Sequence, residues 1–462
     1  MQINELKKIF PGQVFVEEKI LQKYAGDLWP RYLIQKRLGQ KIKFPTVVFQ
    51  PKTILDVQKL VQWANAHQII AIVPFGGGSG VCGGATITQE SIALDLRKLN
   101  QVKDINIVSH TVTAEAGILG PELEKSLNQK GLTLCHFPAS FDISTLGGWI
   151  STRASGQLST YYGSIEDMLL SLKVVLADGS LVETKLTPRT ATGPSLNELF
   201  LGAEGTLGIV VEATCQVHTV PSVREFLSFS FQEISQALLA IRTLVQKEIF
   251  PCGVRLYDES ETQVAFGETG LKVSGNLLLL TFEGEEAELV QIQQKIAQRI
   301  LNKEGKDLGA LPAKHWWEHR FDLNDQKMIQ ILSSEGMILD TIEVAAPWHH
   351  LENLYHSMKK AIQEEIIVLA HFSHFYLTGG SIYFTFVGNV EEKEALQKYD
   401  LIWKKAMETC LVSQGTISHH HGIGLLKKEW LKKELNEGWN VLSKIKKTLD
   451  PNHILNPDKL LS

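Results

Sequence analysis

The chain has 462 residues, which is too long for one small domain and predicts two or three. Hydrophobic residues make up 44% of the chain and charged residues 21%, a globular balance that excludes a disordered, collagenous or coiled-coil protein. The net charge of -5, from 46 Lys and Arg against 51 Asp and Glu, argues against nucleic acid as a partner.

Helix and strand patterns alternate through the first half of the chain. An apolar run ends at Phe49, and Thr53 with Asp56 has the spacing of a capping box that begins a helix. The continuous apolar run Ile69–Phe75 predicts a buried strand. The other predicted elements are a helix from Pro121 to Gly131, a hairpin of Leu169–Ala177 and Leu181–Thr184 around Asp178-Gly179, and the strand Leu207–Val217.

The pattern changes after about residue 220. Helices are predicted near 235–248, 285–303 and 435–449, and strands at Gly253–Tyr257, Leu277–Glu283 and Ser381–Val387. We therefore divide the chain into an N-terminal segment 1–40, a domain 41–220, a second domain 221–410 and a C-terminal segment 411–462.

Cysteine usage and the chain ends indicate the compartment. The five cysteines are scattered and form no CxxC, so neither a disulfide framework nor a zinc site is expected. The N-terminus lacks the apolar core of a signal peptide, and no run of ~18 apolar residues occurs. We expect a cytoplasmic protein, and a peripheral membrane contact stays open.

The strongest local signal is a glycine-rich loop, Pro74-Phe-Gly-Gly-Gly-Ser-Gly-Val-Cys-Gly-Gly84, directly after a predicted strand. Glycines allow positive φ angles and let backbone N–H groups close on phosphate oxygens. The loop lacks the Gly-Lys-Ser/Thr of a P-loop and does not open a helix as GxGxxG does. The alternative interpretation is a flexible turn.

Two further clusters of small residues follow. One runs from Pro138 through Gly147 and Gly148 to Gly156, and the other is Gly202-Ala-Glu-Gly-Thr-Leu-Gly208 before a strand. Each alone is equally consistent with a plain turn. Three clusters within ~140 residues favour a large ligand that lies along the backbone, such as a dinucleotide.

Three adjacent histidines, His419, His420 and His421, precede Gly422-Ile-Gly424. We consider a metal site, a proton-transfer loop and a solvated turn. Metal ligands usually stand at i, i+2 or i+4 with a carboxylate or cysteine, and the loop contains no Glu or Asp. Proton transfer suits a histidine, because its ordinary pKa is near neutral.

Two single residues on predicted strands are also candidates. Arg255 alternates with apolar residues and either pairs with a structural carboxylate or binds an anionic substrate. Tyr383, in Gly380-Ser-Ile-Tyr-Phe-Thr-Phe386, is a candidate catalytic phenol or a packed aromatic ring.

The glycine-rich loop, Leu146-Gly-Gly148, Arg153-Ala-Ser-Gly156 and Glu204-Gly-Thr-Leu-Gly208 resemble the flavoproteins of the vanillyl-alcohol-oxidase or PCMH type, from about residue 24 to residue 462. The resemblance implies an α+β fold with a two-subdomain PCMH-type FAD-binding domain. An α/β cap domain with an antiparallel sheet would cover the isoalloxazine. Asp450-Pro-Asn-His-Ile-Leu-Asn-Pro457 resembles the family's C-terminal tail, which returns to the FAD domain.

This resemblance also implies a set of residues that bind FAD. We expect non-covalent FAD, because the loop lacks a His or Cys at the usual attachment positions, Cys82 being the one candidate for a covalent link. The predicted cofactor-binding residues are Pro74, Gly76, Gly77, Gly78, Ser79, Gly80, Ser144, Gly147, Gly148, Ser151, Ser155, Glu204, Gly205, Thr206, Gly208 and Ile209.

Two subgroups of the family compete. D-2-hydroxyacid dehydrogenases, which include D-lactate and glycolate enzymes, carry HGDGN and GEHG segments whose His and Glu hold a divalent metal. Alkyldihydroxyacetonephosphate synthases, which make the ether bond of ether lipids, carry a His-His-His-Gly segment. Here His420 stands in place of that Glu, and His371, His374, Tyr376 and Glu343-Val-Ala-Ala-Pro-Trp348 also resemble the synthases. We therefore expect no metal.

The synthase resemblance implies that acyl-dihydroxyacetone phosphate loses a C1 proton and bonds to flavin N5, the fatty acid leaves, and a fatty alcohol takes its place. Tyr383 and His419–His421 would handle protons, Arg255 would bind the phosphate together with His374 as a substrate-binding residue, and the cap would hold the alkyl chain. We also expect a homodimer and a lipid-like substrate.

One segment departs from the synthase pattern. Synthase-like sequences carry Tyr-(Ile/Leu)-Arg-Asp in the cap, and Glu318–Gln330 contains no such Arg, only Lys327 nearby. Lys offers a point charge where Arg offers a planar fork. This departure leaves open a relative with the synthase fold that acts on another substrate. The alternative functions are an FAD-linked oxidase or dehydrogenase of a D-2-hydroxy acid such as lactate or glycolate, and a flavin-binding partner subunit with a decayed site.

Overall fold

The computed structural model describes residues 3–67, 70–322 and 325–461. These residues form two compact units. The first comprises the chain up to Ser155, Ser164–His218 and the segment from His420 onward, and is called the FAD unit after the predicted cofactor. The second comprises Gly156–Gly163 and Thr219–His419, and is called the cap unit after the predicted cap domain. Each unit has its own sheets and its own buried core, and each is described separately below.

The FAD unit contains a four-stranded sheet and a five-stranded sheet. In the four-stranded sheet, Val47–Phe49 and Ala71–Phe75 flank Ser91–Asp95 in parallel, and Val14–Phe15 pairs antiparallel at one edge. The five-stranded sheet is antiparallel throughout and consists, in spatial order, of Val102–Asn106, Thr111–Glu115, Ile209–Gln216, Leu169–Val175 and Leu181–Glu183. Further short strands are Leu132–Thr133 and His218–Thr219.

Helices cover the sheets of this unit. Val57, Leu60 and Val61 of one amphipathic helix are fully buried in the core beneath the four-stranded sheet, because they recur on one helical face. The α-helices of the unit are Ile3–Ile9, Glu18–Leu21, Pro30–Arg37, Ile54–His67, Gly120–Asn128, Leu146–Thr152, Ile165–Met168, Leu196–Phe200, Lys428–Leu435 and Gly438–Leu449, with 3-10 turns at Gln22–Tyr24 and Leu96–Lys98.

A buried ion pair anchors the C-terminal tail in this unit. The Lys446 ammonium lies 2.5 Å from a carboxylate oxygen of Asp450, and both side chains are at most 1% exposed. Lys446 also donates to the carbonyl oxygens of Thr206 and Leu455, and the other donors to Asp450 include the N–H groups of Ile454 and Leu455. The pair therefore connects the last helix to the third glycine cluster and to the tail.

The cap unit is built on a seven-stranded antiparallel sheet. In spatial order its strands are Lys306–Gly309, Val223–Phe231, Asn276–Gly284, Gly253–Tyr257, Ile367–Phe375, Gly379–Asn389 and Met337–Pro347. The helices of this unit are Ser159–Tyr162, Ile234–Val245, Glu259–Phe266, Ala287–Leu301, Leu311–His319, Asp325–Leu332, Trp348–Gln363 and Ala395–Val412, with a 3-10 turn at Glu392–Glu394. Among the helices of the described residues, none is both long and apolar enough to cross a membrane.

The predicted α+β fold with antiparallel sheets is confirmed. The capping box is present, because the Thr53 N–H donates to Asp56 and the Asp56 N–H donates to Thr53. The Asp178-Gly179 hairpin forms with Gly179 at φ +80°, and the strand Gly253–Tyr257 has its predicted bounds. The strand predicted from Ile69 begins at Ala71, and Ile69 itself lies outside the described residues.

The buried pair predicts a large effect on stability. Asp450→Asn removes the counter-charge from a fully buried ammonium, and breaking such a pair costs about 3–5 kcal/mol. Urea unfolding should show this loss in the free energy of unfolding of the FAD unit. The matched control in the same unit is Glu198→Gln, which breaks an ion pair with Arg153 whose partners are 57% and 44% exposed and should change the free energy by no more than about 1 kcal/mol. Equal effects of the two substitutions would contradict the anchoring role of the pair.

Candidate active site

The glycine-rich loop follows the strand Ala71–Phe75 and offers backbone donors. Within the stretch 70–322 that the structure describes, residues 76–80 are half-buried, and none of their N–H groups donates to a backbone carbonyl. Such N–H groups, held on a loop that ends a buried strand, suit the oxygens of a phosphate.

Glycine is required in this loop because another part of the chain approaches it closely. A Cβ atom on Gly77 would lie 1.7 Å from the Ile143 carbonyl oxygen, and one on Gly76 would lie 2.4 Å from Thr145 Oγ1. In the second cluster, a Cβ atom on Gly147 would lie 2.7 Å from the Ala116 Cβ. The first two glycine clusters are therefore in contact, and the chain leaves no room there for side chains.

Several other predicted cofactor-binding residues already have partners inside the unit. Ser144 Oγ accepts from the Trp149 indole at 2.7 Å, Ser151 donates to the Gly147 carbonyl, and Ser155 shares a hydrogen bond with Ser164. Thr206, within the third cluster, and Ile209, directly after it, are buried. Gly205 packs against Pro74, Gly208 packs on Val174, and the Gly148 N–H donates to Thr145. Gly78 and Gly205 have positive φ angles, and Ser79 and Gly80 are half-buried. Their role as cofactor ligands stays a prediction.

Glu204 has a position that sequence reasoning did not anticipate. Its buried carboxylate accepts the N–H of Ile423 at 2.6 Å and the N–H of Gly424 at 2.9 Å. Asn456 of the C-terminal tail donates to the Glu204 carbonyl at 2.7 Å and to the Gly84 carbonyl at 3.0 Å. Burial raises the pKa of Glu204 to about 7, against the opposing effect of the two N–H groups. Glu204 thus connects the third glycine cluster to the loop after the histidines.

These features fit an FAD-binding unit. The glycine-rich loop supplies backbone donors, and its glycines have no side chains of their own to cover these donors, as the phosphates of a dinucleotide require. Gly76–Gly80 would hold the phosphates, and the Gly147-Gly148 cluster packed against the loop would fix its shape. Whether the cofactor is non-covalent stays a prediction, and Cys82 is buried.

In the cap unit, Arg255 belongs to a chain of three polar side chains. Its guanidinium is hydrogen-bonded to His371 Nε2, and His371 Nδ1 lies 2.7 Å from Glu261 Oε1. Because an arginine only donates, Nε2 must be the unprotonated nitrogen and Nδ1–H must donate to Glu261. Burial and the Arg255 charge both lower the pKa of His371, which agrees with this neutral form. The face of Trp316 lies 5.4 Å from the guanidinium carbon.

Tyr383 lies beside this chain of side chains. Its ring stacks on His371 with centroids 4.9 Å apart, because the two residues are paired across neighbouring strands. On the opposite neighbouring strand, the fully buried Glu343 is paired with Tyr383. Burial raises the pKa of the Tyr383 phenol well above its ordinary value, and Glu343 and Asp340 add to the effect. The phenol therefore keeps its proton at neutral pH.

The histidine segment is divided between the two units. In the cap unit, His419 Nε2 lies 2.7 Å from the Tyr376 hydroxyl, and the His419 ring stacks on His374 at 5.0 Å. Ser418, just before it, donates to Glu343 at 2.6 Å. In the FAD unit, the rings of His420 and His421 meet edge to face at 4.6 Å. The absence of a metal requirement stays a prediction.

The cap geometry brings together Arg255, Tyr383, His374 and His419 with residues to which sequence reasoning gave no role. His371 was noted only for its resemblance, and Glu261 and the partner role of Glu343 were missed. The register of Gly253–Tyr257 against Ile367–Phe375, which pairs Tyr257 with His371, is the signal that would have identified His371. Glu261 comes from the helix Glu259–Phe266, and no local pattern points to it.

Comparison with protein families finds two matching domains. Residues 45–185 match the FAD binding domain, and residues 220–460 match the C-terminal domain of FAD linked oxidases. An alkyldihydroxyacetonephosphate synthase of Dictyostelium discoideum is 32% identical over 99% of this chain and 80% of its own length. The mitochondrial D-lactate dehydrogenase [cytochrome] of Arabidopsis thaliana is 29% identical over 92% of this chain and 75% of its own length.

Two solved structures have a fold similar to that of this chain. A structure of alkyldihydroxyacetonephosphate synthase superimposes with a TM-score of 0.83 at 30% identity and covers 99% of this chain and 85% of that chain. A structure of p-cresol methylhydroxylase reaches a TM-score of 0.79 at 16% identity and covers 99% of this chain and 95% of that one, which shows a shared fold alone.

The close approach at Gly77 predicts a loss of cofactor. In Gly77→Ala the new methyl group overlaps the Ile143 carbonyl, and overpacking of this kind costs about 1–3 kcal/mol. Because the displaced backbone is the loop assigned to the phosphates, we expect a loss of FAD affinity of about 5- to 150-fold. The flavin-to-protein absorbance ratio after gel filtration measures the loss. The control is Gly438→Ala, whose Cβ would meet its nearest neighbour only at 3.8 Å and which should keep FAD. A Gly77→Ala protein with the parent's FAD content would contradict the assignment of this loop.

Proposed function

We propose that this chain, which belongs to the alkyldihydroxyacetonephosphate synthase group of the FAD-linked oxidases, exchanges the acyl chain of acyl-dihydroxyacetone phosphate for a fatty alcohol. The chain is a flavoenzyme that uses FAD. In the proposed reaction the bond between C1 and the acyl oxygen breaks, a fatty acid leaves, and the alcohol oxygen bonds to C1 as the alcohol loses its proton. The reaction has no net oxidation, and it supplies the ether bond of an ether lipid.

One observation supports this proposal more than any other. His371 is hydrogen-bonded to Arg255 and stacked on Tyr383, so one neutral imidazole holds an anion-binding group beside a phenol. A substrate that carries both an anionic group and an exchangeable proton suits this pair. Acyl-dihydroxyacetone phosphate carries a phosphate and an activated C1 proton beside its carbonyl.

Arg255 would bind the anion. His371 engages one side of its guanidinium, and the fork of a guanidinium has five N–H donors. The remaining donors suit two oxygens of a phosphate or a carboxylate in a bidentate arrangement. Glu261 fixes the tautomer of His371 and through it the direction of the fork. The Arg of the Tyr-(Ile/Leu)-Arg-Asp segment of synthase-like sequences is missing from Glu318–Gln330, so we assign Arg255 to the phosphate.

Tyr383 and the histidines would move the protons. The phenol of Tyr383 is protonated at neutral pH, so we propose that it donates a hydrogen bond or a proton to a substrate oxygen. His419, held by Tyr376, would accept the proton that leaves C1, and His420 and His421 stay predicted proton carriers. FAD, held by the residues of the glycine-rich loop, would supply an electron-poor ring that serves as an electron sink.

A second candidate is oxidation of a D-2-hydroxy acid such as lactate or glycolate. The similarity to a D-lactate dehydrogenase favours it, and a guanidinium fork binds a carboxylate as well as a phosphate. The two functions differ in the fate of the flavin, because oxidation of a hydroxy acid must reduce it and the exchange must not.

We also propose that the substrate is lipid-like and that the protein forms a homodimer with a peripheral contact to a membrane surface.

The proposed roles predict a division between kcat and KM. Tyr383→Phe removes only the hydroxyl and should lower kcat for alkyl-dihydroxyacetone phosphate formation by ~10²-fold, the usual value of a positioned proton donor. Arg255→Lys should chiefly raise KM, because a fork becomes a point charge. Both variants should keep bound FAD. Tyr161→Phe, at a ring that is 50% exposed, is the matched control and should behave as the parent. Parent turnover by Tyr383→Phe would make Tyr383 a packing residue.

A further inference from the structure

The buried carboxylate of Glu204 spans two parts of the FAD unit that are distant in sequence. Glu204 lies in the third glycine cluster, and its oxygens accept the N–H groups of Ile423 at 2.6 Å and Gly424 at 2.9 Å. Gly422 packs against the same carboxylate, because a Cβ atom on Gly422 would lie 2.8 Å from Glu204 Oε1. These three residues directly follow His420 and His421.

The segment that follows the histidines also contacts the glycine-rich loop. The N–H groups of Leu425 and Leu426 donate to the carbonyl of Cys82, within the glycine-rich loop. Gly424 has φ +53°, and a Cβ atom there would lie 2.2 Å from the same carbonyl. The segment after the histidines is therefore clamped between Glu204 and the glycine-rich loop. Backbone atoms of this segment make the contacts to Glu204 and to Cys82, so the geometry of the clamp sets where the preceding histidines stand.

Burial of an ionised carboxylate at this position is energetically unfavourable. Glu204 is 8% exposed, and burial raises its pKa to about 7, so the ionised form is disfavoured relative to water. The charged groups that act on it are Asp27, which raises the pKa further, Lys427 and the buried Lys459 of the tail. A neutral glutamine of the same shape would avoid the desolvation, but its amide group has one acceptor atom where the carboxylate has two. The Gly424 N–H lies 3.2 Å from Oε1 and 2.9 Å from Oε2, so the NH2 group of a glutamine at either position would face this donor instead of accepting from it.

We infer that Glu204 is a positioning residue that holds His420 and His421 in place through the N–H groups of Ile423 and Gly424. The inference rests on the proposed function, in which these histidines carry protons. Misplacement of a reacting group by about 1 Å costs ~10²-fold in rate, so a loosened clamp should appear in kcat. Substrate binding through Arg255 in the cap unit should not change.

The variant that tests this is Glu204→Gln in the FAD-loaded enzyme. We expect the parent's FAD content, KM within about twofold, and kcat lower by ~10²-fold. Because the variant no longer buries a charge, its melting temperature at pH 8 should be no lower than the parent's. A residue that only supported the fold would lower the melting temperature and leave kcat per bound flavin unchanged.

Two further measurements report on the clamp directly. Hydrogen exchange of the peptide that contains Ile423 and Gly424 should be faster in Glu204→Gln than in the parent, with other peptides of the FAD unit unchanged. The kcat of the parent should rise with pH as Glu204 ionises near pH 7, and this component should be absent from Glu204→Gln. Gly422→Ala, which displaces the carboxylate from the loop side, should lower kcat in the same way.

Controls separate this inference from the proposed function. Glu212→Gln makes the same chemical change at a buried glutamate of the same unit, paired with Lys173 at 2.9 Å, and should keep the parent kcat. His421→Ala tests the proton role itself and should lose turnover by ~10²-fold. If His421→Ala is inactive and Glu204→Gln turns over at the parent rate, the positioning role is wrong and the proposed function stands. If both turn over at the parent rate, the proton role fails as well. Loss of FAD from Glu204→Gln would instead assign Glu204 to the cofactor and overturn the inference.

Discussion

The FAD unit depends on the buried ion pair of Lys446 with Asp450. Lys446 binds the carbonyl of Thr206 while Asp450 binds the N–H groups of the tail, so one pair joins the third glycine cluster to the C-terminus. The tail then adds to the strand Ala71–Phe75, where the Ile72 N–H donates to Ile454 and the Asn456 N–H donates to Ile72. That strand leads directly into the glycine-rich loop. A segment more than 350 residues away along the chain thereby fixes the strand from which the glycine-rich loop begins.

In the cap unit, the directions of the hydrogen bonds among Arg255, His371 and Glu261 determine how these side chains are arranged. Arg255 can only donate, so His371 must accept at Nε2 and donate at Nδ1 to Glu261. The imidazole is thus neutral and fixed in one tautomer, and its face is free to stack on Tyr383. An arginine, a histidine and a tyrosine that are widely separated in sequence become one constellation because three neighbouring strands are in register.

Local patterns in the sequence predicted much of this fold. Capping at Thr53, the Asp178-Gly179 hairpin and the strand around Arg255 are set by neighbouring residues, and the structure has each of them. The strand Met337–Pro347 and the strand of His371 were not predicted, because their alternation is hidden by residues that are buried on both faces. Glu204 was predicted as a cofactor ligand from the family resemblance. Its bonds to Ile423 and Gly424 are tertiary, and no spacing in the sequence reports them.

The central claim is an exchange without net oxidation at the Arg255, His371 and Tyr383 site. The most direct measurement is anaerobic mixing of the FAD-loaded protein with acyl-dihydroxyacetone phosphate and a fatty alcohol, or with D-lactate or glycolate, while the visible flavin spectrum and the products are followed. We predict that the first mixture gives alkyl-dihydroxyacetone phosphate with the flavin oxidised at the end of turnover, and that neither hydroxy acid bleaches the flavin. Bleaching by D-lactate or glycolate, with no ether product from the first mixture, would contradict it.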